Sequence, residues 1–85
     1  MTTIPTNYAM SIIDDIVIAM NNGLRNNKDS WTVTELTDEL TNKFHRYISK
    51  HQVRYILEEY QGGILTPWWK STHGNKVIWY YTKAI

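Results

Sequence analysis

The sequence predicts a small α+β domain, mainly α, in which three helices are followed by a β-hairpin. Apolar residues recur at helical spacing in three segments before residue 62. From residue 64 onward the chain is instead rich in β-branched and aromatic residues, which favour strands. Its 85 residues suffice for one domain, 1–85, and leave no room for a second. We expect residues 1–5 to form a flexible tail.

Composition and charge narrow the class of protein. The chain has no cysteine, which excludes disulfides, thiolate metal sites and cysteine nucleophiles. It has neither an apolar run of about 18 residues nor a signal-peptide pattern, so we expect a soluble cytoplasmic protein with no membrane partner. Residues 1–42 hold two basic and six acidic side chains, whereas residues 43–85 hold seven basic and two acidic ones. The basic half is therefore the candidate surface for an anionic partner.

The first helix is predicted over residues 6–22, with Thr6 or Asn7 as its N-cap and Gly23 in the left-handed position after its end. Its apolar residues cover about 200° of the helical wheel, about twice what one core contact needs. Ile18 lies outside even this arc, among polar residues. We therefore expect this helix to contact a partner as well as the core, and the simplest partner is a second copy of the chain.

Two capping boxes predict the second and third helices. In the first box Thr32 is the N-cap and Glu35 returns to the Thr32 amide, which predicts a helix over about 33–44. In the second box Ser49 and Gln52 take the same two roles. Both helices are thereby fixed at their N-terminal ends.

The third helix is predicted to end at Gly62–Gly63, since glycine suits the position after a helix. Only residues 45–48 connect it to the second helix, and two helices joined so tightly form a helix-turn-helix. The residues of its predicted buried stripe are Val53, Ile56, Leu57 and Tyr60.

The hairpin is predicted from two strands, 64–70 and 76–82, with a polar loop over 71–75 between them. Gly74–Asn75 can take the positive φ angles that a tight turn needs. Because Pro67 has no amide to donate, the first of these strands is expected at a sheet edge.

Alternation along the hairpin makes both of its faces apolar. Trp68 and Trp69 are adjacent on one strand and therefore point to opposite faces. One face must pack on the helices, and the other is exposed or covered by a partner. Ser30–Thr32, around Trp31, can add a very short third strand. The residues expected at a dimer or partner interface are Ile13, Val17, Ile18, Trp68, Trp69 and Tyr80.

The chain thus runs helix, short strand, helix, tight turn, helix, hairpin. The segments that carry this order are Trp31–Leu36, Ile48–Leu57, Gly63–Leu65 and Trp79–Tyr81. The order resembles the winged helix-turn-helix superfamily over nearly the whole chain, and it specifies the fold rather than one family within it. The turn His45–Tyr47 departs from the pattern, since many relatives have smaller residues there. The resemblance implies that the third helix enters the major groove of DNA and that the hairpin, the wing, touches an adjacent groove or the backbone.

The resemblance makes the polar and basic side chains of the third helix and the wing the candidate DNA contacts. An arginine can be bidentate to guanine and a glutamine to adenine, and a helix N-terminus favours phosphate. An alternative partner for the Arg54 guanidinium is Glu58, four residues on. The candidate contacts are Lys43, Arg46, Ser49, Lys50, His51, Gln52, Arg54, Tyr55, Lys70, His73, Asn75 and Lys76.

We therefore expect a homodimeric transcriptional regulator that binds duplex DNA, with no enzymatic activity, no cofactor and no metal. The three histidines lack metal-ligand spacing, and no nucleophile or phosphate-loop motif is present. The abundance of Asn, Thr, Ile and Lys suggests an AT-rich genome, such as that of a phage or other mobile element. The alternative function is a phage-encoded interaction module that binds or inhibits a host protein. A third is single-strand nucleic acid binding through exposed aromatic residues such as Trp68.

Overall fold

A computed structural model describes residues 6–82 of the chain, so the predicted tail over residues 1–5 lies outside the described residues. The elements are α1 Thr6–Arg25, β1 Ser30–Trp31, α2 Val33–Asn42, α3 Lys50–Tyr60, β2 Trp68–His73 and β3 Lys76–Tyr81. This confirms the α+β class with three helices and a hairpin, and β1 is the short strand expected near Trp31. Within residues 6–82 no helix is both long enough and apolar enough to cross a bilayer.

Helix α1 is longer than predicted, because Gly23 lies inside it rather than after its end. A Cβ at Gly23 would lie 2.6 Å from Cζ2 of Trp31 and 2.9 Å from the carbonyl oxygen of Lys28. The glycine is thus required by close packing against the Trp31 ring, not by backbone conformation. The left-handed turn after the helix is made by Asn27, with a φ of 62°, and asparagine tolerates this region better than most residues.

Both predicted capping boxes are present. The Thr32 hydroxyl accepts from the Glu35 amide at 3.1 Å, and the Glu35 carboxylate accepts from the Thr32 amide at 2.8 Å. Ser49 and Gln52 repeat the arrangement at the start of α3, with distances of 3.2 and 3.0 Å. The N-terminal ends of both helices are therefore fixed by local sequence.

The connection between α2 and α3 covers residues 43–49, which is longer than predicted. Helix α2 ends at Asn42 rather than at residue 44, and His45 then takes a φ of 54°. The Arg46 amide donates to the carbonyl of Leu40 at 2.9 Å, which turns the chain back towards α2. Partly buried Phe44 packs against the core from this turn rather than from the helix.

The sheet is antiparallel with the order β1-β3-β2, so β2 is an edge strand as predicted. It begins at Trp68 instead of residue 64, because the Thr66 amide donates to the Gly63 carbonyl and closes a turn ahead of Pro67. The edge of β2 is partly covered, since the Gly62 amide donates to the Trp68 carbonyl at 2.9 Å and the Lys70 amide to Oε1 of Gln61 at 3.4 Å. Such coverage protects an edge from pairing with another chain.

The hairpin turn is tighter than predicted, because residues 71–73 belong to β2 and only Gly74–Asn75 connect the strands. Gly74 alone takes a positive φ, of 65°. Asn75 does not, contrary to the prediction that both residues would. A glycine at the first of two loop positions is typical of type II′ hairpins.

The core lies between the helices and one face of the sheet. Trp68 and Trp79 are fully buried there, and Tyr81 packs beside them. Trp68 pairs in register with Tyr81, and Lys70 with Trp79. The prediction that Trp68 belongs to an interface is therefore wrong: its ring fills the core, and its indole Nε1–H donates to the carbonyl of Leu57 at 2.8 Å. The other core residues from the helices are Ala9, Ile12, Ile13, Ile16, Ala19, Met20, Leu36, Leu40, Val53, Ile56 and Leu57.

Comparison of Gly62 and Gly74 distinguishes the cost of backbone strain from the cost of a steric clash. Gly62 and Gly74 have similar positive φ angles, of 75° and 65°. A Cβ at Gly62 would overlap the six-membered ring of Trp69, whereas a Cβ at Gly74 would meet nothing within 4 Å. We expect Gly74→Ala to lower the free energy of unfolding by about 1–2 kcal/mol, the strain of a left-handed alanine, and Gly62→Ala to lower it by at least about 1 kcal/mol more.

Urea denaturation followed by tryptophan fluorescence measures both losses. Replacing Trp69 by alanine in the Gly62→Ala background should reduce the excess, because the obstructing ring is gone. Equal losses for Gly62→Ala and Gly74→Ala would show that Trp69 does not pack on Gly62.

Candidate nucleic-acid interface

The outer face of α3 carries polar and aromatic side chains, as the sequence predicts. Val53, Ile56 and Leu57 are buried, and the remaining member of the predicted stripe, Tyr60, is half-buried. The exposed residues of the helix are Lys50, His51, Arg54, Tyr55, Glu58 and Glu59. His51, Arg54, Tyr55 and Glu58 follow helical spacing and therefore share one face.

A groove of about 350 Å³ lies between α3, the start of α2 and the hairpin. We call it the hairpin groove. Its lining residues are Thr32, Val33, Thr34, Arg54, Glu58, Lys70, Asn75, Lys76, Val77 and Trp79. The fold thus brings together four of the predicted contact residues, Arg54 from α3 and Lys70, Asn75 and Lys76 from the hairpin.

The hairpin groove contains three basic side chains and one acidic one. Glu58 lies 3.7 Å from the ammonium of Lys70, so its charge is compensated within the groove. The alternative pair between Arg54 and Glu58 is not formed. Over residues 6–82, neither Arg54 nor Lys76 has an ion-pair partner, which leaves both cations available to an anion.

The start of α2 also lines this groove, and sequence reasoning missed it. Thr32, Val33 and Thr34 are the N-cap and the first two residues of the helix. The first amides of a helix have no intrahelical acceptor, and the helix dipole makes this end partly positive. The capping box located this helix end, but only the fold shows that it faces Arg54 and the hairpin.

The capping carboxylate of α2 is electrostatically stabilised. Lys28 donates to Glu35 at 3.0 Å from the opposite side to the Thr32 amide. The amide hydrogen bond from Thr32, and then the Lys28 ammonium, hold the pKa of Glu35 below its usual value of 4.5, against an opposing effect of burial. Glu35 is therefore ionised at neutral pH and completes the cap.

Several predicted contacts are instead engaged within the chain. The Arg46 guanidinium lies 2.5 Å from the Asp15 carboxylate, also contacts the Ser11 hydroxyl, and is mostly buried. Lys43 pairs with Glu39 at 3.2 Å and lines a different groove, beside α1. Arg46 therefore holds the turn against α1, which corrects the prediction that it contacts DNA.

Six further predicted contacts do not line the hairpin groove: Lys50, His51 and Tyr55 are exposed on α3, and the other three have polar partners within the chain. The side chains of Ser49 and Gln52 are used by the cap of α3. His73 is hydrogen bonded to Ser71 at 3.1 Å and shares with it the outer face of the hairpin. These residues remain on the surface near α3 or the hairpin, but their polar groups already have partners.

The outer face of the hairpin is only partly apolar. Trp69 is 54% exposed and lies beside half-buried Tyr80, its register partner. Val77 and Trp79 belong to the inner face, where Trp79 is fully buried. Of the interface residues predicted on the hairpin, Trp69 and Tyr80 therefore remain at the surface and Trp68 does not.

A second, larger groove of about 800 Å³ runs along α1, and we call it the apolar groove. It brings together the predicted interface residues Ile13, Val17 and Ile18. Ile13 is buried in its floor, and Ile18 is about half exposed. The other lining residues are Met10, Asp14, Tyr60, Ile64, Leu65 and Thr66. Sequence reasoning placed Ile64 and Leu65 in a strand and therefore missed them as surface residues.

Comparison with protein-family models, with curated proteins and with solved structures finds no match. In the part of the chain that is described, no three His, Asp or Glu side chains gather as ligands for a metal ion. What the two grooves bind must therefore be argued from their own geometry and charge.

The structural role of Arg46 predicts a stability difference between two cation deletions. We expect Arg46→Ala to lower the free energy of unfolding by about 1–3 kcal/mol, because it leaves the part-buried Asp15 carboxylate without its donor. Lys43→Ala removes an exposed ion pair between the C-cap residue of α2 and Glu39 of the same helix. It should change the free energy of unfolding by less than about 0.5 kcal/mol. Urea denaturation measures both. If the Arg46→Ala protein were as stable as the original, Arg46 would not be needed by the fold and could again be assigned to DNA binding.

The Glu35 cap predicts a pH dependence of stability. Because the folded pKa lies below the unfolded one, the stabilisation is full above the unfolded pKa and is lost as pH falls through the folded pKa. Glu35→Gln keeps an oxygen that accepts from the Thr32 amide but has no charge to titrate. We expect its free energy of unfolding to fall less steeply than the original's below a pH of about 4.5, as measured by urea denaturation at successive pH values. Parallel profiles would contradict this assignment.

Proposed function

We propose that this chain is a small winged-helix protein that binds duplex DNA with α3 and the hairpin, and that it acts as a transcriptional regulator. The observation that carries the proposal is the hairpin groove, where cations from two separate elements meet the start of α2. A solvated helix face accounts for exposed polar residues on α3 alone. It does not account for cations from α3 and the hairpin gathered on one concave surface.

In this proposal α3 reads the major groove. Arg54 is exposed, has no ion-pair partner in residues 6–82, and can donate both guanidinium arms to guanine. His51 and Tyr55 lie on the same face and flank it. Gln52 is excluded from base reading, since its side chain is held by the cap of α3.

The hairpin and α2 supply the phosphate contacts. Lys70 and Lys76 of the hairpin line the groove together with Thr32, Val33 and Thr34 at the start of α2. Amides at a helix N-terminus favour phosphate oxygens, and lysines neutralise the backbone without reading sequence. Glu58 opposes an anion, but the ammonium of Lys70 compensates it.

The number of available cations limits the affinity of a single copy. With Arg46 and Lys43 paired elsewhere in the chain, the basic residues on or beside this surface are Lys50, Arg54 and Lys76, which have no ion-pair partner in residues 6–82, and Lys70, which is shared with Glu58. About three or four phosphate contacts give weak binding at physiological salt. A homodimer would double them, and the homodimer stays a prediction that the mass in solution decides.

Three single substitutions test the assignment of the groove. Arg54→Ala and Lys76→Ala should each weaken binding to a random-sequence duplex about three- to tenfold at 50 mM salt. Lys76→Ala, which removes a phosphate contact, should also reduce the slope of log affinity against log salt concentration by about 0.9. Lys43→Ala is the matched control. It removes the same charge, but the lysine lies in another groove and is paired with Glu39, so binding should be nearly unchanged.

Fluorescence anisotropy at 50 and 200 mM salt measures these affinities, with the mass in solution recorded alongside. If all three variants lost the same affinity for the duplex, net charge alone would explain the losses and the groove assignment would be overturned. No binding of the unmodified protein at 50 mM salt would overturn DNA binding itself.

A further inference from the structure

The apolar groove contains aliphatic side chains that the fold does not use. Ile64 is 95% exposed and Leu65 is 78% exposed, although they are neighbours in sequence. Met10 and Ile18 of α1 are about half exposed on the opposite wall. Such an exposed apolar patch typically marks a protein interface, and Ile64 and Leu65 gain little burial from the described residues.

The charge of this groove is negative and comes from one side chain. Among residues 6–82, Asp14 is the one charged residue that lines it, it is exposed, and no lysine or arginine lines it. Asp15, the next residue, is turned to Arg46 and does not line the groove. A carboxylate covered by an apolar surface loses its hydration and therefore requires a cation from whatever covers it.

This charge disfavours a second copy as the occupant. In a twofold dimer the same patch lies on both sides, so closing it would bring two Asp14 carboxylates into one interface. The patch offers neither of them a cation. Two uncompensated carboxylates in a desolvated apolar contact oppose association.

We propose that the apolar groove is a docking site for an apolar segment of another protein that carries a lysine or arginine opposite Asp14. The aliphatic side chains of the segment cover Ile64, Leu65, Met10 and Ile18, and its cation pairs with the Asp14 carboxylate. Apolar anchors give such a site its affinity, and the charge pair sets orientation and partner choice. The site shares no lining residue with the hairpin groove, so both can be occupied at once.

The probe for this proposal is a phage-displayed library of random 16-residue peptides, selected on the full-length protein. We expect the enriched peptides to combine several large apolar residues with at least one lysine or arginine. Their synthetic versions should lose at least tenfold in affinity when Ile64→Ser and Leu65→Ser are combined. Asp14→Asn should weaken them about three- to tenfold, less so at high salt.

Tyr47→Ser is the matched control, because Tyr47 is fully exposed and lies outside the apolar groove. It should leave peptide binding unchanged, and circular dichroism confirms that every variant folds. Since each replaced side chain of the groove is exposed, loss of binding reports the surface rather than the core.

Three outcomes overturn the proposal. The first is that no peptide is enriched, or that enriched peptides bind the Ile64→Ser, Leu65→Ser protein normally. The second is that they lack a basic residue or are indifferent to Asp14→Asn. The third is a homodimer in sedimentation experiments that the Ile64→Ser, Leu65→Ser pair dissociates and Asp14→Asn tightens, which would assign the groove to a second copy.

Discussion

The position of the sheet against α3 depends on Trp68. Its ring is fully buried, and its indole N–H donates to the carbonyl of Leu57 at 2.8 Å. The last four carbonyls of a helix have no intrahelical donor, and α3 ends at Tyr60, so Leu57 offers one of these acceptors. The Thr66 hydroxyl donates to another, at Tyr60. Thr66 and Trp68 thus cap the C-terminal end of α3 and hold the start of the hairpin against it. Trp31 and Trp79 differ, since their indole N–H groups are buried without acceptors in the described residues.

Internal ion pairs neutralise some of the basic side chains that make the second half of the sequence positive. Two of the basic side chains in the second half of the chain, Lys43 and Arg46, pair with acids of the first half, Glu39 and Asp15. These pairs connect the α2–α3 turn to α2 and α1. The charge that remains for a partner is concentrated on α3 and the hairpin rather than spread over the whole basic half. Buried or partly buried pairs persist because removing one partner leaves the other desolvated, so Arg46 is committed while Arg54 is not.

Local signals made the fold predictable, whereas distant contacts decided much of the site. The capping boxes at Thr32 and Ser49, the edge position of β2 and the opposite faces of Trp68 and Trp69 follow from short-range patterns, and the structure confirms them. Gly23 was misread because its requirement comes from the ring of Trp31, eight residues later. The role of Arg46 was misread because its partner lies 31 residues away. Ile64 and Leu65 have the composition of a strand, and only the turn before Pro67 places them at the surface.

In a domain of this size the same helix has to supply both core residues and binding-surface residues, and α1 does so. Small chains bury a limited share of their surface, so each helix serves more than one contact. Ile12, Ile16 and Met20 are fully buried in the core cluster, while Met10 and Ile18 on the same helix line the apolar groove. Ile13 belongs to both, since it is buried in the core cluster and forms the floor of the groove.

An occupant of the apolar groove therefore contacts the core directly and binds only the folded chain. By mass action such an occupant stabilises the fold by about 2.7 kcal/mol at a hundred times its dissociation constant, which is a large fraction of the stability that a domain this small can have.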